Sequence, residues 1–436
     1  MKIIKKNLLL FLIFFAFLLR LFVVFWGYHG DLNNNISWGE TASSHGLNGF
    51  YEFDSWDYST PNQPPLYILL FVFLRKIWEA VGDISDYLNH AIGIFPSAFI
   101  WFWERRGMIL LVKLPSIISD LAIGYLMYRF LRDRNKKWAI MATGLWLFNP
   151  IVWYNSSVWG QTDAIVNLIG LASLIALLNK RLVLSSALIT LSIMFKGSLL
   201  VFIPVFLLIA LKQRQKAKEW AISFCTGLLV VFLTSIWFHP KYDFIVWLAN
   251  LYKNRILPGE IGYLTANAFN FWWLVDHGKT YDSKVFFGLA ARVWGYLISL
   301  GLIFSLLPRL KKIDEGRVFY TLALTSFITF LFLTRMHERY LYPFFLMASI
   351  LLAYKRYVLP VYLTLSITHL FNLYHLFWVP NLKIWENFYL NPGFMFFLSF
   401  FQIVLFLYLY VLFFRTTFKK TSNFQSSNAA SKKTKQ

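Results

Sequence analysis

Residues 7–28 read NLLLFLIFFAFLLRLFVVFWGY, an apolar run in which Arg20 is the one charged residue. A helix of about 20 apolar residues spans the hydrocarbon core of a bilayer, and this run is long enough. A signal peptide also has a basic start, but its apolar core is only about 7–15 residues long and ends at small residues. The run therefore predicts an uncleaved first membrane helix, with the basic start Met1–Lys6 in the cytosol.

The whole chain has a membrane-protein composition. Of its 436 residues, 58% are hydrophobic and 14% are charged, whereas soluble proteins have about 25% charged residues. The net charge of +21 comes from Lys and Arg in short groups between apolar runs, which excludes a continuous nucleic-acid-binding surface. Cys225 is the only cysteine, so intrachain disulfides and Cys-based metal sites are excluded. These features predict a polytopic membrane protein.

The distribution of charge predicts the topology. Lys and Arg are retained in cytosolic loops, and short basic groups occur at 132–137, 179–181, 212–218, 309–312 and 355–356. Residues 29–63 hold five acids and no Lys or Arg, which predicts an external segment. We therefore expect an all-α fold with both termini cytosolic and about twelve transmembrane helices. Their predicted spans are 7–27, 107–131, 138–154, 164–178, 182–195, 198–211, 220–238, 285–308, 317–334, 341–354, 357–374 and 392–414.

These spans predict a single integral-membrane domain, 1–414, whose first external loop covers 28–106. Within that loop, the apolar pieces 66–81 and 91–103 must either both cross the membrane or both stay on its external face. The charge rule disfavours two crossings, so we expect interfacial helices. The tail, 415–436, is basic and rich in Ser and Asn, which predicts a disordered cytosolic segment attracted to anionic lipid.

Several polar residues occur where helices are predicted to end on the external side. Asp31 follows Gly30 directly after the first helix, and an acid held at the edge of an apolar bundle is more often functional than merely solvated. A second group, Trp159-Gly-Gln-Thr-Asp163, is followed by Lys196. Lys113 and Asp120 fit either a substrate site or an internal ion pair.

The string Arg335-Met-His-Glu-Arg-Tyr340 places cations on the predicted external side, against the topological bias. Arg presents a forked donor set that matches phosphate. An internal Arg–Glu network between two helices is the alternative, and we favour phosphate binding. An external acid and external cations suit a transferase whose donor is a lipid-phosphate sugar. Phosphate is a good leaving group, so one carboxylate that deprotonates the acceptor hydroxyl suffices.

The same motifs carry a family resemblance over residues from about 20 to 345. They are Gly30-Asp31, Trp38, Gly46, Phe50-Tyr51, Pro64-Pro-Leu-Tyr67, Asn149-Pro150, Trp159–Asp163, Lys196, Pro204 and Thr334–Tyr340. They resemble GT-C glycosyltransferases, in particular prokaryotic mannosyltransferases related to the GPI-anchor second mannosyltransferase. The layout is also similar to that of dolichyl-phosphate-glucose glucosyltransferases. The resemblance implies a GT-C-type fold and, for the acid that opens the first external loop, Asp31, the role of general base.

We therefore predict an inverting glycosyltransferase that moves one sugar, mannose in our reading, from a polyprenyl-phosphate donor at the external face of a prokaryotic plasma membrane. Asp31 is the expected base, and the expected donor-phosphate ligands are Arg335, His337, Arg339, Lys113 and Lys196. The expected sugar or acceptor contacts are Trp38, Trp159, Gln161, Asp163 and Glu338. No cofactor or metal is required, because Arg can neutralise the phosphate.

Three matters stay open at this point. The acceptor is a glycan, a lipid or a protein, and the sugar is not fixed by any residue pattern. A transporter or flippase of lipid-linked sugars is the main alternative function; such proteins often have internal repeats and charges at mid-membrane, neither of which is evident in this sequence. An en-bloc glycan ligase is a further alternative.

Overall fold

The computed structural model describes residues 2–240, 243–257, 261–311 and 313–416, and it is 75% helical. The predicted tail, 415–436, lies outside the described residues from position 417 onward. The α-helices are α1 Lys2–Val23, α2 Asp31–His45, α3 Pro65–Ile92, α4 Ser97–Phe102, α5 Met108–Leu131, α6 Lys136–Leu147, α7 Pro150–Trp153, α8 Asp163–Leu178, α9 Leu182–Phe195, α10 Ile203–Lys212, α11 Ala217–Ser235, α12 Phe244–Leu251, α13 Phe271–Val275, α14 Ala291–Leu306, α15 Glu315–Phe332, α16 Tyr342–Leu351, α17 Leu359–Leu376, α18 Lys383–Tyr389 and α19 Pro392–Arg415.

Short tighter or wider helical turns extend or connect these helices. The 3₁₀ turns are Phe50–Glu52, Gly197–Phe202, Ile236–Phe238, Leu307–Arg309 and Arg356–Val358, and the π turns are Trp103–Gly107, Tyr154–Trp159 and Tyr252–Ile256. The strands are β1 Thr265–Ala266, β2 Val285–Phe286, β3 Leu289–Ala290 and β4 Met336–His337. β2 and β3 form a hairpin, and β1 pairs in parallel with β4, with Thr265 opposite Met336 and Ala266 opposite His337.

Side-chain caps fix where several helices begin. A side-chain oxygen of the residue before the helix accepts a hydrogen bond from a backbone N–H of the first turn, at Asn135, Asn149, Asp243, Asn270, Asp314 and Asn391. Such caps satisfy donors that have no partner within the helix. Asn149 also donates to Tyr362 at 2.8 Å and to Ser366 at 2.9 Å, so the Asn-Pro pair of the sequence motif starts α7 and ties it to α17.

Within the described ranges, four helical segments are long and apolar enough to cross a membrane. They are Ser97–Leu131, Ala217–Phe238, Ala291–Arg309 and Pro392–Arg415. Shorter apolar helices are Asn7–Val23, Asp163–Leu178, Leu182–Phe195, Gly197–Lys212 and Tyr342–Leu351. The chain is thus a nearly all-α integral membrane protein, and the number of about twelve crossings stays a prediction.

Two predicted boundaries need correction. The predicted span 285–308 begins with the β2–β3 hairpin, and its helix starts only at Ala291. The predicted pieces 66–81 and 91–103 belong to longer helical segments, and their interfacial placement stays a prediction. The first is part of α3, which is 28 residues long, and most of the second belongs to the 35-residue segment Ser97–Leu131. The helix of α3 continues through the polar residues that follow 81, whereas residues 93–96 separate α3 from α4.

The centre of the bundle is the hairpin of α15 and α16. Every residue of α16 is buried. In α15, Gly316 and all residues from Val318 to Leu331 are buried as well. α16 packs against α6, α8 and α17 as well as α15. The loop that joins α15 to α16, residues 333–341, therefore lies in the middle of one end of the bundle, and it carries the Arg-Met-His-Glu-Arg-Tyr string.

Candidate active site

A cavity of about 460 Å³ opens at the end of the bundle where α15 and α16 are joined. We call it the polar cavity. It is lined by the start of α2, residues 59–67, the turn before α8, the turn after α9 and the 333–341 loop. The predicted site residues that line it are Asp31, Trp38, Gln161, Asp163, Lys196, His337 and Arg339. Polar groups that are far apart in sequence thus face one space.

Asp31 is the first residue of α2, and its Oδ2 atom carries all of its side-chain contacts. Gln161 Nε2 donates to Oδ2 at 2.5 Å, His29 Nδ1 lies 3.4 Å from it, and Arg339 Nη2 lies 3.8 Å from it. Among the described residues, no group donates to Oδ1, and the side chain is 38% exposed. One carboxylate oxygen is therefore held while the other is open to a ligand.

The Asp31 carboxyl is ionised in the site. Burial raises the pKa of the Asp31 carboxyl, but the hydrogen bond with His29 and the positive charge of Arg339 lower it by more. The net result is a pKa well below the usual range of an aspartate. Asp31 is thus ionised at neutral pH and can accept a proton at Oδ1.

Asp163 and Lys196 form a buried ion pair in the wall of the polar cavity. Lys196 Nζ lies 2.8 Å from Asp163 Oδ1, and the ammonium also lies 5.5 Å from the centre of the Tyr340 ring. Gly160 turns the chain into α8 with a φ of +89°, and a Cβ at this position would lie 2.7 Å from Leu32. Only glycine fits this turn without strain. The turn brings Gln161 and Asp163 to the cavity.

The two arginines of the 333–341 loop have different surroundings. Arg335 has a φ of +61°, and its Nε and Nη2 contact Asp282 at 2.7 and 3.1 Å in a forked pair. Its backbone N–H donates to Tyr263 and Leu264 carbonyls, so Arg335 fixes the loop to the segment before β1. Arg335 is not among the residues that line the polar cavity, whereas Arg339 is.

Arg339 forms an ion pair with its neighbour Glu338. Arg339 Nη1 donates to Glu338 Oε1 at 2.7 Å, while Arg339 Nε and Glu338 Oε2 are buried without a hydrogen-bond partner. Burial raises the pKa of Glu338 against the opposing charge of Arg339. Burial also lowers the pKa of His337 far below its usual value, and Arg339 adds to this effect. His337 is therefore a neutral hydrogen-bonding group at the cavity wall.

Three other predicted ligands lie outside the cavity lining. Glu338 is 0% exposed and reaches the cavity only through Arg339. Trp159 is 0% exposed, and its ring packs against His29 with 4.7 Å between ring centres. Lys113 is 0% exposed and donates to the carbonyls of Val24, Gly27 and Val158 at 2.7–2.8 Å. These contacts connect the end of α1 and the turn before α8 to α5, so the Lys113 ammonium links three segments of the bundle.

The partner of Asp120 is Arg20 rather than Lys113. Arg20 Nε and Nη2 each lie 3.2 Å from Asp120 Oδ2, and both side chains are 0% exposed. Ser156 and Tyr342 also donate to Asp120, at 2.6 and 2.5 Å. This internal network links α1, α5, the 154–159 turn and α16. Of the two readings left open by the sequence, the geometry favours the internal ion pair.

Several residues near Asp31 are not among the predicted site residues. His29 contacts Asp31, and the carboxamide residues Asn34, Asn35, Asn62 and Gln63 line the cavity. A signal for two of them existed, because Asn34 and Asn35 follow Asp31 by three and four residues, which places them on the same helix face. Recognising it required knowing that α2 begins at Asp31, and residues 62–63 have no such periodic signal.

The cavity combines an open carboxylate oxygen, two paired cations and a neutral histidine. Arg339 and Lys196 each have N–H donors beyond their hydrogen bonds to Glu338 and Asp163. This set can bind an anionic group and accept a proton close to it. In the described part of the chain, no group of three or more His, Cys, Asp and Glu side chains is placed to hold a metal ion.

The fold and the cavity together define a nearly all-α integral membrane protein with a polar site at one end of its helix bundle. Residues 50–261 match the model of a family described as GPI transamidase subunit PIG-U, a GT-C-like membrane family. The match covers just under half of the chain. It includes Gln161, Asp163 and Lys196, whereas Asp31 and Arg339 lie outside it. No curated protein sequence matches the chain.

The matched family, like the families that the motifs resemble, is a GT-C-like membrane family connected with GPI. The family description names a transamidase subunit and not a mannosyltransferase. Transfer of mannose, a polyprenyl-phosphate donor and a prokaryotic plasma membrane are therefore matters of proposal.

Proposed function

We propose that the chain is an inverting membrane glycosyltransferase that moves one sugar, with mannose as the first candidate, from a polyprenyl-phosphate donor to an acceptor hydroxyl in the polar cavity. The observation that carries the proposal is the arrangement of Asp31. Its Oδ1 is open to the cavity, while Arg339 lies 3.8 Å from its other oxygen and Lys196 lines the same space. A base next to phosphate-binding cations is the minimum that this chemistry needs.

In the proposed step, the acceptor oxygen attacks the anomeric carbon of the donor and forms the new glycosidic bond. The bond from that carbon to the phosphate oxygen breaks, and polyprenyl phosphate leaves with the electron pair. Asp31 Oδ1 takes the proton from the acceptor hydroxyl. Attack from the face opposite the phosphate inverts the anomeric configuration. Gln161, which donates to Oδ2 at 2.5 Å, holds the carboxylate in position.

Arg339 and Lys196 are the proposed ligands of the donor phosphate. Both residues line the cavity. A phosphate oxygen can accept from a guanidinium N–H of Arg339 and from the ammonium of Lys196, and the interaction strengthens as charge builds on the departing phosphate. His337 would contribute a neutral hydrogen bond. The cavity face is the proposed external face, with the polyprenyl chain in the lipid.

The test is transfer by purified protein in nanodiscs, offered several polyprenyl-phosphate sugars with mass detection of products. Asp31→Asn keeps the size and the contact with His29 but removes the base, and we expect kcat to fall about 10²-fold or more. Asp57→Asn is the matched control, because Asp57 is an exposed acid of the same segment outside the cavity lining. Undiminished transfer by Asp31→Asn would refute the assignment of the base.

A second candidate follows from the family match over residues 50–261. A chain similar to a GPI transamidase subunit could hold a glycolipid in the cavity without transferring sugar, as part of a larger complex. Absence of transfer by the wild type with every donor, together with a stable complex with other subunits in its native membrane, would favour this candidate. Movement of lipid-linked sugar across proteoliposomes without transfer would favour a flippase.

A further inference from the structure

One part of the lining of the polar cavity consists of carboxamide side chains. Asn34 and Asn35 belong to α2, and Asn62 and Gln63 belong to the segment that leads into α3. We call this set the amide wall. Asn34, Asn35 and Trp38 follow Asp31 at intervals of three, four and seven residues, so they form one stripe along α2 next to the carboxylate.

Internal hydrogen bonds hold the segment 59–63 against α2. Trp38 Nε1 donates to the Ser59 carbonyl at 2.8 Å, and the Ser59 N–H donates to Asn34 Oδ1 at 3.2 Å. At the other end of the segment, the Tyr51 hydroxyl donates to the Gln63 carbonyl at 2.7 Å. The wall is therefore a fixed surface before any ligand binds.

Each of the four amides uses one of its two polar ends in these internal contacts. The side-chain oxygen of Asn34 accepts from the Ser59 N–H, and that of Asn35 accepts from the Tyr67 hydroxyl at 2.9 Å. Gln63 uses its Nε2 group, which donates to Asn62 Oδ1 at 3.0 Å. Among the described residues, the Nδ2 groups of the three asparagines and Gln63 Oε1 take part in no hydrogen bond. Three N–H₂ donors and one carbonyl acceptor are thus left on residues that line the cavity.

We infer that the amide wall is a carbohydrate subsite, and that the acceptor is a neutral sugar rather than a peptide or a lipid glycerol. This inference rests on the proposed function, since it names the substrate class of the same site. A sugar presents adjacent hydroxyls that both donate and accept, which matches a fixed set of amide donors and acceptors. The wall carries no Lys or Arg for an anionic acceptor and no exposed strand edge for a peptide backbone.

The position of the wall fits attack on the donor. Asp31 Oδ1 stands at the start of the stripe, so a sugar on Asn34 and Asn62 would present a hydroxyl beside the base. The cations Lys196 and Arg339 come from other elements and remain available to the donor phosphate. Acceptor and donor phosphate therefore contact different residues of one cavity.

Kinetics with separate acceptor and donor titrations tests this division. Asn62→Asp keeps the oxygen that accepts from Gln63 but removes the cavity-facing donor, and Asn34→Asp does the same for its bond with Ser59. We expect the KM for methyl hexoside acceptors to rise about three- to tenfold in each variant, with the donor KM unchanged. Asn33→Asp makes the same charge change on the same helix outside the cavity lining and should leave both values unchanged.

Binding of methyl hexosides, followed by saturation-transfer NMR on the protein in nanodiscs, provides a readout that needs no catalysis. Hexoside binding that weakens in Asn62→Asp but not in Asn33→Asp supports the subsite even if no transfer occurs, in which case only the proposed function fails. Transfer by the wild type to a hydroxyl-bearing peptide or to diacylglycerol, but to no hexoside, would overturn the inference and leave the glycosyltransferase intact. Unchanged acceptor KM in both variants would overturn it as well.

Discussion

The buried pair of Arg20 and Asp120 offers a quantitative test of how the bundle is held together. Both side chains are 0% exposed, and Asp120 accepts from two nitrogens of Arg20, from Ser156 and from Tyr342. Asp120→Asn preserves the shape of the side chain but leaves the Arg20 cation without a counter-charge. The remaining Arg20 contacts, to the carbonyls of Ala16 and Leu147 at 3.1 and 3.0 Å, carry no full charge.

Removing one member of a buried ion pair costs about 3–5 kcal/mol, and we expect the free energy of unfolding of Asp120→Asn to fall by this amount. The double variant Arg20→Met/Asp120→Asn removes both charges while an amide can still contact Ser156 and Tyr342. Replacing a whole buried pair by neutral groups is often close to neutral, so the double variant should regain at least about 2 kcal/mol relative to Asp120→Asn.

The assay is reversible denaturant unfolding in detergent micelles, followed by tryptophan fluorescence. Asp133→Asn is the control, because Asp133 has a side chain 71% exposed and contacts Arg132 only at 3.5 Å; its effect should stay below about 0.5 kcal/mol. The ion pair would not stabilise the bundle if Asp120→Asn lowered the free energy of unfolding no more than this control does. The same conclusion would follow if the double variant were no more stable than Asp120→Asn.

Three further predictions concern the polar cavity. Lys196→Gln removes the cation that lies 2.8 Å from Asp163, and we expect kcat/KM for the donor to fall about tenfold or more, whereas the exposed Lys284→Gln should have no effect in the same assay. The folded pKa of Asp31 lies below its unfolded value of about 3.9, so its stabilising contribution is complete above that value and is lost only as the pH falls through the folded pKa. Asp31 is therefore ionised above pH 5, and we expect no acid limb of kcat/KM in that range that depends on Asp31. An acid limb above pH 5 that disappears in the residual activity of Asp31→Asn would contradict this. Transfer should persist after treatment with EDTA, because Arg339 and Lys196 supply the charge that faces the phosphate; loss of transfer that Mg²⁺ or Mn²⁺ restores would show that a metal is needed.

The segments chosen from the sequence meet at one cavity, but not every side chain chosen within them lines it. Asp31, Gln161, Asp163, Lys196 and Arg339 were chosen from the sequence and face one cavity in the structure. They could be chosen because each is a polar residue at the end of an apolar run, where a buried polar group needs a reason to be there. Their roles in catalysis and binding stay predictions.

The distinction between neighbouring candidates was out of reach of the sequence. Arg335 and Arg339 lie four residues apart in one motif, yet the first is paired with Asp282 and the second faces the cavity. Lys113 and Lys196 are both cations at apolar helices, but three backbone carbonyls surround Lys113. In each case the outcome depends on a partner contributed by a remote segment.

The amino-acid sequence by itself determined that this protein is a helical membrane protein, because runs of apolar residues long enough to span a bilayer leave the backbone no other way to satisfy its hydrogen bonds. It also determined where polar groups interrupt those runs. Only the tertiary structure decided which of these groups meet. Arg20 finds Asp120 100 residues away, and Gln161 finds Asp31 130 residues away. Helical periodicity specifies which face of a helix is buried, whereas the neighbour on that face is set by the packing of the whole bundle.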